Sequence, residues 1–381
     1  MDTPLLHMTD HLLSMRGKRV LLRIDTNVPI KDGRIIDDFR LQKILPTIAM
    51  LQKAHARVLL LGHIGRDGSG SLRPIFEYFL SHFSLSFIER FTDDVVWPAL
   101  NNMSDGQITL FENVRGEYGE IENNMTFAKR LSSFADIYVN EAFSASHRAH
   151  ASIVSLPKLL PSYAGPLFVS EVKHLSPVFH PPHPFLFVLG GVKFETKLPL
   201  IEKFLETADY CFIGGALAHS FFKARGYEIG KSVIDNGAGQ CDVLLKNKKL
   251  LLPVDLIVQT PNGVAIKKPE EVLVNETILD AGPETLKQLE ALIHGAHFVL
   301  WNGPLGDYLK EGFEKGTETF IRMLASREWK DGELVVGGGD TAAMISKLGM
   351  IEKFPFISTG GGSMLEFLAK STLVGIEALR K

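Results

Sequence analysis

The sequence has few cysteines, no long apolar run and little net charge. Only Cys211 and Cys241 are present, so no disulfide framework is predicted and a reducing cytoplasm is the expected compartment. No apolar stretch approaches the roughly 20 residues that a membrane-spanning helix needs, and the opening residues MDTPLLHMTDHLLSMRGKR lack the apolar core of a signal peptide. A formal net charge of −3 argues against a general nucleic-acid binder.

What is present describes a globular protein. Hydrophobic residues make up 45% of the chain and charged residues 22%, which is typical of a chain that buries a core. With 381 residues the chain is too long for one ordinary core. Two domains are therefore expected.

Short apolar, often β-branched runs alternate with amphipathic stretches along the whole chain. The predicted strands cover 19–25, 57–63, 108–113, 136–142, 185–191, 210–215, 256–258, 297–303, 333–339 and 354–358. This alternation predicts an α/β fold with parallel sheets that carry helices on both faces. The proline-rich segment SPVFHPPHP (176–184) follows the helix-like run PLFVSEVKHL and predicts a domain junction.

Basic and polar residues follow the predicted strands of the first half. They are Asp25, Asn27, His63, Arg66, Arg115, His147, Arg148 and His150, and Arg40 opens a helix nearby. Ligands of open α/β sheets bind beyond the carboxyl ends of the strands, where guanidinium groups pair with phosphate or carboxylate. A single arginine in such a position is as readily explained as an ordinary surface residue as by a ligand. Repetition at successive strand ends predicts a shared anionic ligand.

The strands of the second half end in glycine instead. The segments are GGVKFETK (190–197), IGGALAH (213–219), WNGPLG (301–306), VGGGDTAA (336–343) and STGGGSML (358–365). Glycine lets backbone amides turn towards a ligand, and the following helix N-terminus favours negative charge. Lys193 and Lys197 are one helical turn apart and are predicted to point the same way, and Asp340 is a candidate for a metal bound to phosphates. A phosphate-rich ligand is expected here.

Two familiar motifs are incomplete. RGYEIGKS (225–232) has too short a loop for a Walker A motif. GGGDTA (337–342) fits the dinucleotide pattern, but STGGG stands about 20 residues later, where that motif needs an acidic residue that binds ribose. A dinucleotide-dependent oxidoreductase is therefore a disfavoured alternative.

Taken together, the motifs resemble those of the phosphoglycerate kinase family. RVLLRIDTNVP, GHIGR, LFENVR and FSASHRAHAS are similar to its opening strand and successive substrate loops. LGGVKFETK, WNGPLG, GGGDTAA and STGGGSMLE are similar to its nucleotide-domain signatures. The similarity runs from about residue 15 to the C-terminus.

The resemblance implies two doubly wound, Rossmann-like parallel-sheet domains, joined by a connecting helix and separated by a cleft. The implied division is 1–165 for phosphoglycerate binding, 166–184 for the connecting helix and hinge, 185–358 for nucleotide binding, and 359–381 for a second hinge, a helix and a tail that returns to the first domain. Closure about the two hinges is expected when both ligands are bound. A cytoplasmic monomer that acts on small molecules, without nucleic acid or membrane partners, is also implied.

The resemblance also assigns residues to roles. It implies that 3-phosphoglycerate is bound by Asp25, Asn27, Arg40, His63, Arg66, Arg115 and Arg148. It implies that the nucleotide is bound by Gly191, Lys197, Gly215, Asn302, Pro304, Gly338, Gly339, Asp340 and Thr341, with Mg²⁺ on Asp340. The transferred phosphoryl group is expected to meet Arg40, Lys193, Gly339 and Gly361.

Several positions depart from the family pattern. Gly62 replaces a usual serine, Asp67 a proline and Glu141 an aspartate, and Leu309 stands where a ribose-binding glutamate is usual. The implied activity is reversible phosphoryl transfer between 1,3-bisphosphoglycerate and Mg-ADP, the phosphoglycerate kinase step of glycolysis and gluconeogenesis. Leu309 leaves a second alternative open, a paralogue that binds its ligands without catalysis.

Overall fold

The computed structural model describes residues 5–235, 240–330 and 333–380. It divides into two compact units, Met1–Lys173 with Lys370–Lys381, and His174–Ala369. Each unit is an α/β structure around a parallel sheet, which confirms the predicted fold class. The expected domain bounds and hinges stay predictions.

The first unit contains a six-stranded parallel sheet and a short hairpin. Its strands are β1 (Arg19–Arg23), β2 (Ile30–Lys31), β3 (Arg34–Ile35), β4 (Arg57–Leu61), β5 (Leu85–Ile88), β6 (Ile108–Phe111), β7 (Ile137–Asn140) and β8 (Ser162–Ala164). Its helices are α1 (Phe39–Lys53), α2 (Arg73–Leu80), α3 (Asp93–Asn101), α4 (Tyr118–Ile121), α5 (Met125–Ser133) and the start of α6 (Pro166–Leu175). The sheet order is β5-β6-β4-β1-β7-β8, and β2 pairs with β3.

The central strand β1 explains why this sheet forms. Val20 lies opposite Val58 of β4 and Ile137 of β7, and all three side chains are buried. Helices cover a parallel sheet on both faces, so its strands consist of near-continuous apolar residues. Arg23 is the exception, a fully buried arginine at the carboxyl end of β1.

The second unit contains a five-stranded parallel sheet and a smaller antiparallel one. Its strands are β9 (Phe185–Leu189), β10 (Tyr210–Ile213), β11 (Leu250–Leu251), β12 (Leu256–Thr260), β13 (Gly263–Lys267), β14 (Thr277–Ala281), β15 (Phe298–Asn302) and β16 (Leu334–Gly337). Its helices are α7 (Phe194–Thr207), α8 (Leu217–Ala224), α9 (Cys241–Leu244), α10 (Pro283–Gly295), α11 (Lys315–Ala325), α12 (Gly339–Lys347) and α13 (Gly362–Lys370). The parallel sheet has the order β11-β10-β9-β15-β16.

The last helix, α14 (Val374–Leu379), belongs to the first unit. The Gly375 N–H donates to the Ser146 carbonyl at 2.9 Å, and a Cβ added at Gly375 would lie 2.6 Å from Ser146 Cβ. The end of the chain is thereby fixed to the loop that follows β7.

Two strand predictions are wrong in detail. The run at 256–258 is part of β12, which pairs antiparallel with β13 and β14 and does not join the parallel sheet. Three apolar residues cannot specify the direction of a partner, whereas the turn at 261–262, which joins β12 to β13, is a hairpin signal. The run at 354–358 makes only a single bridge, between Val336 and Ile357.

Among the residues that the structure describes, no helix combines the length and apolarity that crossing a bilayer requires.

Candidate active site

The carboxyl ends of β1, β4, β6 and β7 bring a set of basic residues together in the first unit. These strands are neighbours in the sheet, and each is followed by a polar loop. We call the set Arg23, Arg40, His63, Arg66, Arg115, His147, Arg148 and His150 the basic cluster. Arg23 was not predicted, and the other members were.

Asp25 organises one edge of the basic cluster. Its Oδ2 accepts from Arg40 NH1 at 3.1 Å and also from the Ser144 hydroxyl, and its Oδ1 accepts from the Asn27 N–H at 3.0 Å. Arg40 NH1 also donates to the Asn27 carbonyl at 3.2 Å. Asp25 is buried and Arg40 half-buried, so the carboxylate holds the guanidinium while leaving part of it open to a ligand.

His63 is buried and neutral. Burial lowers its pKa well below the usual range, and the charges of Arg23 and Arg115 add to that effect. Arg23 NH2 lies 3.1 Å from His63 Nδ1. Because a guanidinium can only donate, Nδ1 accepts and the imidazole proton sits on Nε2. His63 can therefore donate a hydrogen bond to an anion.

Arg23 itself is held by further contacts behind the basic cluster. Its Nε donates to the Ser152 hydroxyl at 2.9 Å, and NH1 donates to the Ile24 carbonyl at 2.5 Å. The same hydroxyl donates to the buried Glu120 at 2.6 Å. Burial raises the pKa of Glu120, an effect that the charge of Arg23 opposes.

Arg115 and His150 have unused polar atoms. Burial, together with the charges of Arg23 and Arg148, lowers the pKa of Arg115 to about 10. Its NH1 donates to the Gly65 carbonyl, but its buried Nε has no hydrogen-bond partner among the described residues. Burial, followed by the charge of Arg115, lowers the pKa of His150 to about 4, and its Nδ1 is likewise without a hydrogen bond.

Arg66 and Arg148 complete the basic cluster. Arg66 is exposed and Arg148 half-buried, and neither side chain has a hydrogen-bond partner in the described part of the chain. The Gly65 N–H, next to Arg66, donates to Asn27 Oδ1 at 3.0 Å and fixes the loop. Several positive groups with spare donors thus surround one place, an arrangement suited to a phosphate or carboxylate.

The second unit holds a cavity of about 570 Å³ at the carboxyl edge of its parallel sheet. Gly191, Lys193, Lys197, Gly215, Asn302, Pro304, Gly338, Asp340 and Leu309 are among the residues that line it. Gly339, Thr341 and Gly361 do not line it, although Gly339 and Thr341 lie in the first turn of α12. Gly361, with a φ of 53°, precedes α13.

Lys197 and Lys193 occupy different environments. Burial lowers the pKa of Lys197 to about 8, and its Nζ donates to the Gly190 carbonyl. Lys193 is the exposed N-cap of α7, with extended backbone angles, and it lines the same cavity as Lys197. At Gly191 φ is +98°, a backbone conformation that favours glycine.

The loop after β16 presents backbone and a carboxylate. Gly338 has a φ of +102°, which favours glycine, and α12 begins directly after it. Asp340 is exposed, and its Oδ1 accepts from the Tyr308 hydroxyl at 2.8 Å. The Thr341 hydroxyl accepts from the Gly303 N–H at 3.1 Å and ties this loop to the one after β15.

The remaining loops are joined through their backbones. The Gly191 N–H donates to the Pro304 carbonyl at 3.1 Å, and the Gly215 N–H donates to the Leu305 carbonyl at 3.1 Å. The Asn302 carbonyl accepts from the Gly190 N–H at 2.9 Å. The loops after β9, β10 and β15 therefore form one continuous wall of the cavity.

Sequence reasoning missed further polar residues of the cavity, among them His219, Asp280 and Tyr308. Asp280 accepts from the Gly316 N–H at 2.6 Å, and burial raises its pKa to about 7. The only available signal was position, since His219 follows the IGG segment after β10 and Tyr308 follows WNGPLG.

Comparison with known proteins shows to which family the chain belongs. A family profile described as phosphoglycerate kinase matches residues 9–370. The chain belongs to the phosphoglycerate kinase family. Phosphoglycerate kinases from Coprothermobacter proteolyticus and Pseudothermotoga lettingae are 40% and 38% identical to it, over 96% of this chain and 96% and 97% of theirs.

Two solved phosphoglycerate kinase structures are similar throughout. The one from Coxiella burnetii has a TM-score of 0.83 at 36% identity and covers 99% of both chains. The one from Pyrococcus horikoshii has a TM-score of 0.87 at 29% identity and covers 98% of both chains. Membership of the phosphoglycerate kinase family confirms the predicted kinase and phosphotransferase function and excludes the oxidoreductase alternative.

Proposed function

We propose that this chain catalyses reversible phosphoryl transfer between 1,3-bisphosphoglycerate and Mg-ADP, giving 3-phosphoglycerate and ATP. The observation that carries the proposal is the pair of differently built anion sites, one in each unit. The basic cluster suits a small, doubly anionic substrate, and the glycine-walled cavity suits the phosphates of a nucleotide. A simple hydrolase or a binding module would need only one of them.

In the basic cluster, 3-phosphoglycerate is held by charge and by directed donors. Arg66, Arg115 and Arg148 supply guanidinium groups for its phosphate, and neutral His63 donates from Nε2. Asp25 does not contact the anion in this proposal. It orients Arg40 through the 3.1 Å ion pair and keeps the guanidinium from collapsing onto another acceptor.

The transferred phosphoryl group needs charge neutralisation more than acid–base chemistry. The attacking oxygen is already an anionic carboxylate or phosphate, so no general base is required. Arg40 and Lys193 are the proposed cationic contacts, and the N–H groups at Gly339 and Gly361 are the proposed neutral ones. Removing one such donor costs roughly 10²–10³ in rate.

The nucleotide phosphates are assigned to the cavity of the second unit. Lys197 lines it with its ammonium group, and Gly338 and Asp340 line the end that faces α12. The helix N-terminus at Gly339 favours the negative charge of a phosphate.

The residues at α12 also fit magnesium. No group of three or more His, Cys, Asp or Glu placed to hold a metal occurs in the described chain. A nucleotide-borne Mg²⁺ does not need one, because it takes one or two carboxylates and the substrate phosphates. Asp340 is exposed, and its Oδ2 is not engaged by Tyr308, so it would hold the ion. When bound, Mg²⁺ supplies positive charge that offsets the charge of the phosphates.

Label transfer tests the proposal. The protein is incubated with 3-phosphoglycerate and ATP labelled at its γ-phosphate, and the phosphoglycerate fraction is separated and counted. We expect label on the acyl phosphate of 1,3-bisphosphoglycerate only when the protein is present, and about 10²-fold less with Arg40→Ala. Arg34→Ala, an exposed arginine on β3, is the matched control. Labelled inorganic phosphate that is released equally with and without 3-phosphoglycerate would refute the proposal.

Two expectations stay predictions. A monomer is expected, and analytical ultracentrifugation would detect a dimer. Hinge closure about 166–184 and 358–359 is expected when both substrates are bound, and small-angle scattering would measure it.

A further inference from the structure

Glu120 is a fully buried carboxylate behind the basic cluster, and the proposed chemistry assigns it no role. It is in the short helix α4 and bonds to Ser152, in the helical segment Ala151–Ser155. Its Oε1 accepts from the Ser152 hydroxyl at 2.6 Å, and its Oε2 accepts from the Ser152 N–H at 2.9 Å. Buried acids are rare unless their charge is compensated, so the positive groups near Glu120 bear on its role.

The hydrogen bonds of the Ser152 hydroxyl have one possible direction. Arg23 Nε lies 2.9 Å from the hydroxyl oxygen, and a guanidinium can only donate. The hydroxyl therefore accepts from Arg23 and has its single hydrogen left for Glu120 Oε1. A carboxylate at position 120 thus determines which way this hydroxyl points.

The same direction continues from Arg23 towards the substrate side of the basic cluster. Arg23 NH2 donates to His63 Nδ1 at 3.1 Å, which leaves the imidazole proton on Nε2. In the described part of the chain, Ser152 and His63 are the only side chains that bond to Arg23, and its NH1 bonds to the Ile24 carbonyl at 2.5 Å. The orientation of Arg23 therefore depends on Ser152, and that of the Ser152 hydroxyl depends on Glu120.

Glu120 also offsets buried positive charge. Arg23 is 0% exposed, and no carboxylate of the described residues forms an ion pair with it. Burial raises the pKa of Glu120, and the charges of Arg23 and Arg115 oppose that shift. His150 faces the same carboxylate, with Nδ1 3.7 Å from Oε1. Glu120 therefore supplies negative charge behind several members of the basic cluster.

We propose that Glu120 is a positioning residue for the phosphoglycerate site: it directs the Ser152 hydroxyl, which fixes Arg23, which keeps the His63 proton on Nε2. Neither Glu120 nor Ser152 contacts the substrate in this scheme. They determine the form in which His63 meets it. This role rests on the proposed function and adds to it a support that lies behind the contact residues.

Nuclear magnetic resonance tests the chain of hydrogen bonds without substrate. All histidines are labelled with ¹⁵N, and the signals of His63 are identified by their loss in His63→Gln. The chemical shift of each ring nitrogen reports whether it carries a proton. We expect only the Nε2–H form in the unmodified protein at neutral pH. Ser152→Ala and Glu120→Gln should both populate the Nδ1–H form, because Arg23 is no longer held against Nδ1.

Steady-state kinetics tests the consequence for the substrate. Ser152→Ala and Glu120→Gln should each raise the KM for 3-phosphoglycerate about threefold to tenfold, as expected for one weakened hydrogen bond. The kcat should stay within about twofold, because His63 contacts the anion in the ground state and in the transition state alike. The Kd for ADP, which is assigned to the second unit, should not change.

Two comparisons separate positioning from general damage to the fold. Ser155→Ala is the matched control, because Ser155 is a buried serine of the same segment whose hydroxyl donates to Asn123 Oδ1 at 2.7 Å. It should keep the unmodified KM and the His63 tautomer. If Glu120 acts through Arg23, the double variant Glu120→Gln with Arg23→Leu should have a KM within about twofold of that of Arg23→Leu alone.

Any of four results would overturn the positioning role. They are a His63 proton that stays on Nε2 in both variants, an unchanged KM for 3-phosphoglycerate, a Kd for ADP that rises together with the KM, and independent effects of Glu120→Gln and Arg23→Leu. Failure of the unmodified protein to bind or convert 3-phosphoglycerate would instead overturn the proposed function. The His63 spectrum would then still show whether Glu120 and Ser152 fix the imidazole.

Discussion

The depressed pKa of Lys197 predicts that nucleotide affinity falls as the pH rises through about 8. Burial disfavours the ammonium form of Lys197 in the free protein. Nucleotide phosphates favour that form, so binding should select the protonated lysine and take up a proton. Below its pKa Lys197 already carries the proton that nucleotide binding requires. Above its pKa a growing fraction of the lysine must first take up a proton.

The size of the effect follows from the fraction of protein that carries the proton. If only that fraction binds, the apparent Kd is the intrinsic value multiplied by 1 + 10^(pH − pKa). With a pKa of about 8 the factor is about 1.1 at pH 7, about 2 at pH 8 and about 11 at pH 9. ADP affinity should therefore fall about tenfold between pH 7 and pH 9.

Isothermal titration of ADP at several pH values, at fixed Mg²⁺ and ionic strength, measures this dependence. Repeating the titration at pH 8 in buffers of different ionisation enthalpy should show uptake of about half a proton per nucleotide. Lys197→Arg is the control, because a guanidinium stays charged throughout this range and should flatten the profile. A Kd that is constant from pH 7 to 9, or an equal slope in the arginine variant, would refute the reasoning.

Three further substitutions test other parts of the site. Arg40→Ala should lower kcat about 10²–10³-fold and change the Kd for 3-phosphoglycerate much less, because Arg40 is proposed to contact charge that develops in the transition state. A raised KM with an unchanged kcat would contradict this role. Leu309→Glu should tighten ADP binding roughly tenfold to hundredfold if the new carboxylate accepts the ribose hydroxyls, and unchanged calorimetry would show that the ribose does not reach this position. Arg23→Leu removes the donor that keeps the His63 proton on Nε2, where it can be donated to the substrate. The KM for 3-phosphoglycerate should therefore rise at least about tenfold, while the affinity for ADP stays the same. An unchanged KM would mean that His63 keeps its tautomer without Arg23.

Most of the parallel strands could be predicted because each is a buried apolar run that ends in glycine or a polar residue. β1 and β9 are clear instances of that pattern. An apolar run does not determine which strand pairs with it, so β12 was predicted in a parallel sheet although it lies in the antiparallel one.

The residues of the candidate site could likewise be predicted only in part. Arg115 and Arg148 could be found because they follow strands, where ligands of α/β sheets bind. Arg23 could not, because it lies within β1, and its role depends on a 3.1 Å contact with a histidine 40 residues away. Helical spacing predicted one direction for the two lysines; Lys193 is the N-cap of α7, Lys197 lies within that helix, and both line the cavity.

The most direct test of the account is the coupled conversion of 3-phosphoglycerate. The protein is mixed with 3-phosphoglycerate, Mg-ATP and a dehydrogenase that reduces 1,3-bisphosphoglycerate with NADH, and both NADH and ATP are followed. The account predicts that one NADH is oxidised for each ATP consumed and that neither changes when 3-phosphoglycerate is omitted. Binding of both substrates by calorimetry with no NADH oxidation would contradict it and would identify a chain that keeps the two sites without the reaction.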